Sequence, residues 1–154
     1  MPVTRPETIH FKRSRFSSRL PISRLYSPAH YWLEETEAGL YRVGFTKFAT
    51  RMLGDVVEYG FEIKPGERME AGQTIAWVEG FKALTDVYAV ADGEFLGINT
   101  GLEKDITKID SDPYVGGWLY QVRGTPDPNT VDVHGYMALL DAIIEKMLRL
   151  QGGE

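Results

Sequence analysis

The 154-residue sequence contains no cysteine. This absence excludes structural disulfides, thiolate metal ligands, iron–sulfur ligation by this chain and a cysteine nucleophile. Histidine is also scarce, because His10, His30 and His134 lie in unrelated segments without the close spacing of a zinc or non-haem iron site. The sequence therefore predicts no metal site, and any thiol chemistry must come from a cofactor.

Long hydrophobic runs are absent as well. The longest, such as residues 137–140, are far shorter than the roughly 20 apolar residues that a spanning helix needs. The composition, 43% hydrophobic and 25% charged, is typical of a globular protein that closes one core. We therefore expect a single main domain and no membrane segment.

Acidic residues are scarce at the start of the chain and abundant after it. Residues 1–30 have a charge balance of +5 and the remainder a balance of −10. An acidic body argues against nucleic acid as a partner, because binding to phosphates requires positive charge on the folded face.

The basic residues define an N-terminal arm, residues 1–25, that precedes the predicted domain. Its composition is also that of a mitochondrial transit peptide. We favour an arm that is retained and lies on the acidic body or docks a partner, which places the protein in the cytoplasm, with a mitochondrial location as the alternative. The basic residues of the arm are Arg5, Lys12, Arg13, Arg15, Arg19 and Arg24.

Hydrophobic periodicity predicts a mainly β fold with flanking helices. Alternating residues predict a strand over 41–45, and Thr46 and Gly54 are expected to cap a short helix over 47–53. Asp92-Gly93 predicts a hairpin turn. Further strands are expected at 56–61, 74–79, 85–90, 94–98 and 118–122.

The spacing of apolar residues changes in the last part of the chain. The proline-rich segment 124–129 is predicted to be an unpaired connector. Apolar residues then recur at spacings of three and four, which predicts an amphipathic helix over 133–150 that ends at Gly152-Gly153. We expect this helix to cover a face or an edge of the sheet.

The motifs of self-sufficient enzymes are missing, and one lysine stands out in their place. Lys82 is the only Lys or Arg between Arg68 and Lys104, and it separates two strand-like runs where a tight hairpin would project it. Such a lysine is either a solvated turn residue or a residue that a ligase acylates. A rigid turn suits acylation, because the reach of a long prosthetic group is useful only if its origin is fixed.

Several segments together resemble the H protein of the glycine cleavage system, a lipoyl carrier. The resemblance extends from Tyr26 to Leu148, and its segments occur in the family's order and spacing. It places Lys82 at the family's lipoylated lysine. The segments are 30–32, 43–49, 53–57, 79–88, 93–95 with Asn99, and 112–119.

The resemblance implies a lipoyl-domain-like hybrid flattened barrel or sandwich of two antiparallel sheets, within a domain over 26–150. It implies a carrier subunit, not an enzyme, with lipoate covalently attached to Lys82. Biotinyl domains usually place their lysine between methionines, whereas Phe81 and Ala83 flank it here, so lipoate is favoured over biotin. The expected cofactor environment comprises Glu79, Gly80, Phe81, Ala83, Asp86, Tyr31 and His30.

Two departures from the family concern this environment. The family usually has a glutamate where Tyr31 stands, and that carboxylate holds the cationic aminomethyl cargo. A phenol supplies no charge, so Glu34 or Glu35 would have to substitute, or Tyr31 is a half-buried aromatic at the sheet edge. The family also usually has serine and a small aliphatic residue where Gly80 and Phe81 stand.

With these departures, the sequence resembles the lipoate-binding proteins of the heterodisulfide-reductase-like sulfur oxidation system. We therefore expect a swinging-arm carrier of sulfur-bearing intermediates, with that complex, sulfur-donor proteins and a lipoate ligase or lipoyl-assembly enzymes as partners. The alternative is the H protein of glycine cleavage, with glycine decarboxylase, aminomethyltransferase and dihydrolipoyl dehydrogenase as partners. A non-catalytic interaction or lipoyl-relay module remains a further alternative. Glu79 and Asp86 either position the hairpin for partners or are exposed charges at strand ends.

Overall fold

A computed structural model describes residues 5–152, which consist mainly of strands. The strands are β1 (Thr8–Arg13), β2 (Phe16–Pro21), β3 (Leu25–Tyr26), β4 (Tyr31–Glu37), β5 (Leu40–Phe45), β6 (Val56–Phe61), β7 (Arg68–Met69), β8 (Thr74–Gly80), β9 (Leu84–Tyr88), β10 (Ala91–Ile98) and β11 (Tyr120–Pro126). The helices are α1 (Lys47–Leu53), α2 (Lys108–Ser111) and α3 (Val133–Gly152), and a 3₁₀ turn covers Thr100–Glu103.

Two antiparallel sheets enclose the main hydrophobic core. One has six strands in the order β3-β4-β5-β11-β10-β7, and the other has three in the order β6-β8-β9. Val43, Val78 and Phe95 point into the space between them and are at most 1% exposed. The predicted architecture of two antiparallel sheets with flanking helices is confirmed.

Local signals placed the first helix correctly. The Thr46 side chain accepts a hydrogen bond from Ala49 N, and Gly54 ends the helix at φ 75°. Both are the expected caps, because the threonine hydroxyl satisfies a free N–H group and glycine tolerates a positive φ. Phe48 and Leu53 face inward, whereas Met52 is 52% exposed.

The Asp92-Gly93 dipeptide is not the predicted hairpin turn, since both residues lie within β10. Gly93 pairs with Gly124 of β11. A Cβ atom on Gly93 would lie 2.1 Å from Arg123 O, and one on Gly124 would lie 1.9 Å from Asp92 O. Glycine is therefore needed here for the close approach of two strands, and not for a turn.

The predicted connector over 124–129 begins as a strand. Its first three residues continue β11, and the pairing with β10 reaches Ala91↔Pro126. Pro126 is the last residue of the strand, where a missing N–H interrupts little of the ladder. The closing strand, predicted over 118–122, therefore begins two residues later and ends four residues later.

The basic segment at the start of the chain contains a hairpin that the sequence did not predict. β1 and β2 pair antiparallel over six residues each. Phe11 is buried in a second apolar cluster together with residues of α3. Arg13 forms ion pairs with Asp141 and Glu145 of α3, at 3.2 and 3.1 Å. The hairpin thus packs on an acidic face of the body, and the division into an arm 1–25 and a domain 26–150 stays a prediction.

The C-terminal helix closes this second cluster. Tyr136 of α3 stacks on Tyr26 of β3 with ring centroids 4.8 Å apart, so the helix covers the edge strand of the six-stranded sheet. The helix ends at Gly152, two residues beyond the predicted end, and Gly153 lies outside the described residues. No helix within 5–152 has the length and apolar character needed to cross a membrane. The second cluster consists of Phe11, Phe16, Leu20, Tyr26, Trp32, Phe48, Val133, Tyr136, Leu140 and Ile144.

Candidate functional site

Lys82 lies at the exposed tip of the β8–β9 hairpin. The turn is closed by a hydrogen bond from Gly80 N to Ala83 O, at 2.8 Å. Phe81, Ala83 and Leu84 are exposed as well, so the lysine projects from a small apolar tip. A partner enzyme can therefore reach the ε-amino group.

The tip is braced by the corner between α1 and β6. Phe81 N donates to Asp55 O at 3.0 Å, and Lys82 N donates to Leu53 O at 2.9 Å. Gly80 permits this approach, because a Cβ atom there would lie 2.2 Å from Leu53 O. Gly80 therefore allows a close backbone contact that fixes the hairpin.

A shallow hollow of about 300 Å³ lies on the Lys82 side of the tip. The aromatic ring of Phe81 is part of its lining and is 78% exposed. Lys47 and Arg51 bring positive charge, and Asp55 also lines the hollow. Lys82 Nζ approaches Arg51 O at 3.5 Å, a long contact that leaves the amine free for chemistry.

A larger groove of about 440 Å³ also borders the tip, and its lining is mainly apolar. Ala83 and Leu84 of the tip, Met52 of α1 and Met147 of α3 contribute to its walls. The sequence did not predict the walls contributed by α1 and α3. Nothing in the sequence shows that Met52 and Leu84 are exposed, because their exposure depends on the packing of α1 and the hairpin.

Tyr31 forms part of the groove and links the two sheets. It is 3% exposed and lies on β4, between β3 and β5, so the prediction of a half-buried aromatic at the sheet edge is wrong. Its hydroxyl accepts a hydrogen bond from Tyr88 N at 3.1 Å and contacts Asp86 O at 3.5 Å. Burial raises the pKa of Tyr31 to about 12, so the phenol is neutral at physiological pH. Tyr31 therefore anchors β9, the strand that follows the tip.

Tyr31→Phe tests this anchor. The variant leaves Tyr88 N–H without its acceptor, at a cost of about 1 kcal/mol, so we expect that amide to exchange with solvent roughly fivefold faster. Hydrogen exchange followed by NMR measures the rate. Tyr88→Phe, which removes a hydroxyl from a 42% exposed ring in the same strand, serves as the control. Equal exchange in wild type and Tyr31→Phe would contradict the anchor.

His30 lies at the inner end of the groove in a strained backbone conformation. Its φ is 73°, which is unusual for a residue with a side chain, and backbone bonds to Ser27 O and from Thr46 N hold it there. The ring Nδ1 lies 2.8 Å from the Tyr136 hydroxyl. Burial lowers the pKa of His30 from 6.5 to about 4, which keeps the ring neutral.

The lowered pKa of His30 predicts a pH dependence of stability. Between pH 6.5 and pH 4 the unfolded chain binds a proton that the folded chain excludes, so the free energy of unfolding falls as the pH falls through this window. We expect His30→Gln to flatten this slope in urea unfolding. His134→Gln, at an exposed position, is the control and should keep the wild-type slope. The same slope in all three proteins would refute the role of His30.

The carboxylates that the sequence singled out stay outside the groove. Glu79 and Asp86 are exposed, and their side chains have no hydrogen bond or ion pair within residues 5–152. Glu34 lies 3.7 Å from Arg24, and Glu35 accepts from Gly39 N. Neither Glu34 nor Glu35 lines the groove. Within the described residues there is also no group of three or more His, Asp or Glu that could hold a metal ion.

Comparisons with known proteins agree with this architecture. The sequence model of the Glycine cleavage H-protein family matches residues 24–140. The glycine cleavage system H protein of Salmonella paratyphi B is 34% identical over 127 residues, which cover 80% of this chain and 98% of that protein. The corresponding protein of Escherichia coli O45:K1 is 33% identical with the same coverage. The crystal structure of a glycine cleavage system H protein from Mycobacterium marinum superposes with a TM-score of 0.69 at 33% identity, covering 77% of this chain and 97% of the other.

Proposed function

Because the chain belongs to the glycine cleavage H-protein family, we propose that Lys82 bears its lipoyl group and that the protein carries an aminomethyl group within the glycine cleavage system. The observation that carries the proposal is an exposed lysine on a braced hairpin beside an apolar groove. The relatives are named as glycine cleavage system H proteins, which supports the proposed role in that system.

H proteins are carrier subunits with lipoate covalently attached to a lysine, and partner enzymes perform the catalysis. The chain is therefore a lipoyl carrier and has no catalytic site of its own. A bound lipoyl group supplies a redox-active pair of sulfur atoms, which this cysteine-free chain lacks.

The residues around the tip fit such a group. Lys82 Nζ is accessible for amide formation, while the backbone of Lys82 is held by Leu53 O. The apolar groove beside the tip can bury an aliphatic chain and keep water from its far end. Leu84 and Met52 are exposed and line the groove, so such burial would cover them.

The proposal implies a defined set of partners. A lipoate ligase or the lipoyl-assembly enzymes would modify Lys82, and glycine decarboxylase, aminomethyltransferase and dihydrolipoyl dehydrogenase would use the modified protein. The relatives named above come from bacteria, which supports a place in the cytoplasm over a mitochondrial one.

Reconstitution tests the proposed function. The lipoylated protein is combined with glycine decarboxylase, glycine and labelled bicarbonate, and incorporation of label into glycine is measured. We expect incorporation with wild type and only background with Lys82→Arg taken through the same steps. The H protein of Escherichia coli, run in parallel, shows that the assay works. Background incorporation with lipoylated wild type, while that control is active, would overturn the proposal.

A second function, the transport of sulfur-bearing groups for a heterodisulfide-reductase-like complex, is favoured by one observation. No carboxylate from residues 5–152 lines the groove, and the Tyr31 hydroxyl already accepts a hydrogen bond from Tyr88 N. A cationic amine would therefore find no counter-charge there, whereas a neutral sulfur cargo needs none. Intact mass spectrometry of the protein from its native host distinguishes the two functions, because additional sulfur on the lipoylated form indicates the sulfur pathway.

A further inference from the structure

We propose that a hollow on the outer face of the six-stranded sheet, lined by Arg5, Arg24 and Arg42, binds a tetrahedral oxyanion. The hollow has a volume of about 330 Å³ and lies on the side of β4 and β5 that faces away from the main core. It shares no lining residue with the groove or with the hollow beside Lys82. The hollow is therefore separate in position from the carrier site around Lys82.

Arg24 supplies the deepest charge of the hollow. Its side chain is 3% exposed, and its guanidinium stacks over the Trp32 ring at 4.3 Å. Nη1 donates to Tyr114 O, while Nη2 lies 3.7 Å from Glu34 Oε2, which is too long for a hydrogen bond. The buried cation thus keeps donor capacity that no acceptor within residues 5–152 uses.

Arg42 has fewer hydrogen-bond and ion-pair partners than Arg24. It lies on β5 opposite Glu34 of β4, yet no ion pair joins these two side chains. Its Nε atom is buried without a hydrogen-bond partner among the described residues. The guanidinium stacks over Trp118 with its centre 4.7 Å from the ring. An unpaired buried donor costs free energy, and an anion that accepts a hydrogen bond from Nε would remove that cost.

The lining of the hollow carries mainly positive charge, which favours an anionic ligand. Three arginines line the hollow with a single carboxylate, Glu34, whose side chain is 38% exposed. Arg5 also pairs with Asp112 at 2.7 Å, but its side chain is 68% exposed and can turn another N–H toward the hollow. With Glu34 and Asp112 counted against the three arginines, the hollow keeps an excess of positive charge, which favours an anion.

The positions of Arg24 and Arg42 over indole rings favour a ligand with several oxygen atoms. Each guanidinium lies over an indole ring, and a guanidinium can donate two N–H groups to two oxygens of a phosphate or sulfate. Because the indole contacts restrict both side chains before binding, less side-chain entropy is lost than for a free arginine. The hollow of about 330 Å³ accommodates either a free oxyanion or the phosphate of a small monoester.

A titration with inorganic phosphate at constant ionic strength tests the site. We expect saturable NMR shifts of the Ser23 and Val115 amides, which border the hollow. Arg42→Gln should raise the dissociation constant at least tenfold, and Glu34→Gln should lower it. Arg149→Gln, an exposed arginine on α3, is the matched control and should leave it unchanged. Phenyl phosphate in place of phosphate distinguishes the sources, because tighter binding of the ester indicates a monoester and equal binding a free oxyanion.

Two results would overturn the proposal. One is a shift that rises linearly with phosphate in the wild type, which indicates screening alone. The other is a dissociation constant that is the same in wild type and Glu34→Gln. Glu34→Gln keeps the test decisive even if Arg42→Gln does not fold, because glutamine keeps the size of this 38% exposed side chain and removes only the 3.7 Å charge contact with Arg24.

Discussion

Replacing Lys82 by arginine is expected to abolish lipoylation completely while the protein stays folded. A guanidinium does not form the amide that an ε-amine forms, so no lipoyl group can be attached. The residue is exposed at a hairpin tip, and its backbone contacts to the α1–β6 corner do not depend on the side chain. Stability should therefore change by less than about 0.5 kcal/mol. Intact mass after incubation with ligase, lipoate and ATP reports the modification.

Lys104→Arg is the matched control for this experiment. Lys104 is an exposed lysine that ends the 3₁₀ turn, and the control variant should accept one lipoyl group as the wild type does. Urea unfolding of all three proteins verifies that they are equally folded. A lipoyl group on Lys82→Arg would show that another lysine is modified, and unfolding of that variant would show that Lys82 supports the fold.

Replacing Trp32 by alanine is expected to cost about 3–5 kcal/mol of stability, the range for removal of a large buried aromatic side chain. Trp32 has 0% exposure, and its indole N–H donates to Pro113 O at 2.9 Å. The ring lies directly on Gly44 of the neighbouring strand, where a Cβ atom would come within 2.6 Å of it. The Arg24 guanidinium also lies over this ring, 4.3 Å from its centroid. The loss is a large fraction of the 5–15 kcal/mol typical of a domain.

Trp77→Ala isolates the contribution of burial. Trp77 also lies on a cross-strand glycine, Gly60, but it is half-buried and its indole N–H has no hydrogen bond within residues 5–152. We expect less than half the loss seen in Trp32→Ala, measured as free energy of unfolding in urea followed by circular dichroism. Equal losses would mean that the contact with glycine, and not burial, determines the contribution.

Local chemistry made parts of this fold and site predictable. The bounds of α1 follow from Thr46 and Gly54, because a cap acts within one turn of the helix. The position of Lys82 between two strand-like runs placed it at a hairpin tip for the same local reason. The arrangement of motifs along the chain also indicated the family, which the comparisons confirm.

Other features depended on partners distant in sequence. Asp92-Gly93 has the local signature of a turn, yet the pairing of Gly93 with Gly124 keeps it in a strand. Tyr31 was expected at an edge, and its burial results from strands on both sides of β4 and from its bond to Tyr88 N. The basic charge of the first segment gives no indication of the hairpin β1–β2. This hairpin is held by the buried contacts of Phe11 and Phe16.

The family, the short helix with its caps, and a single lysine suited to carry a group could all be inferred from the amino-acid sequence. These depend on residue types and on contacts within a few positions, which the order of residues specifies directly. By contrast, the bracing of the tip by Leu53 O and Asp55 O, and the wall that α3 forms in the groove, depend on how distant segments pack. It also brought Arg5, Arg24 and Arg42 around one hollow. The reason is that such sites form where distant segments pack together, and that packing minimises the free energy of the whole chain.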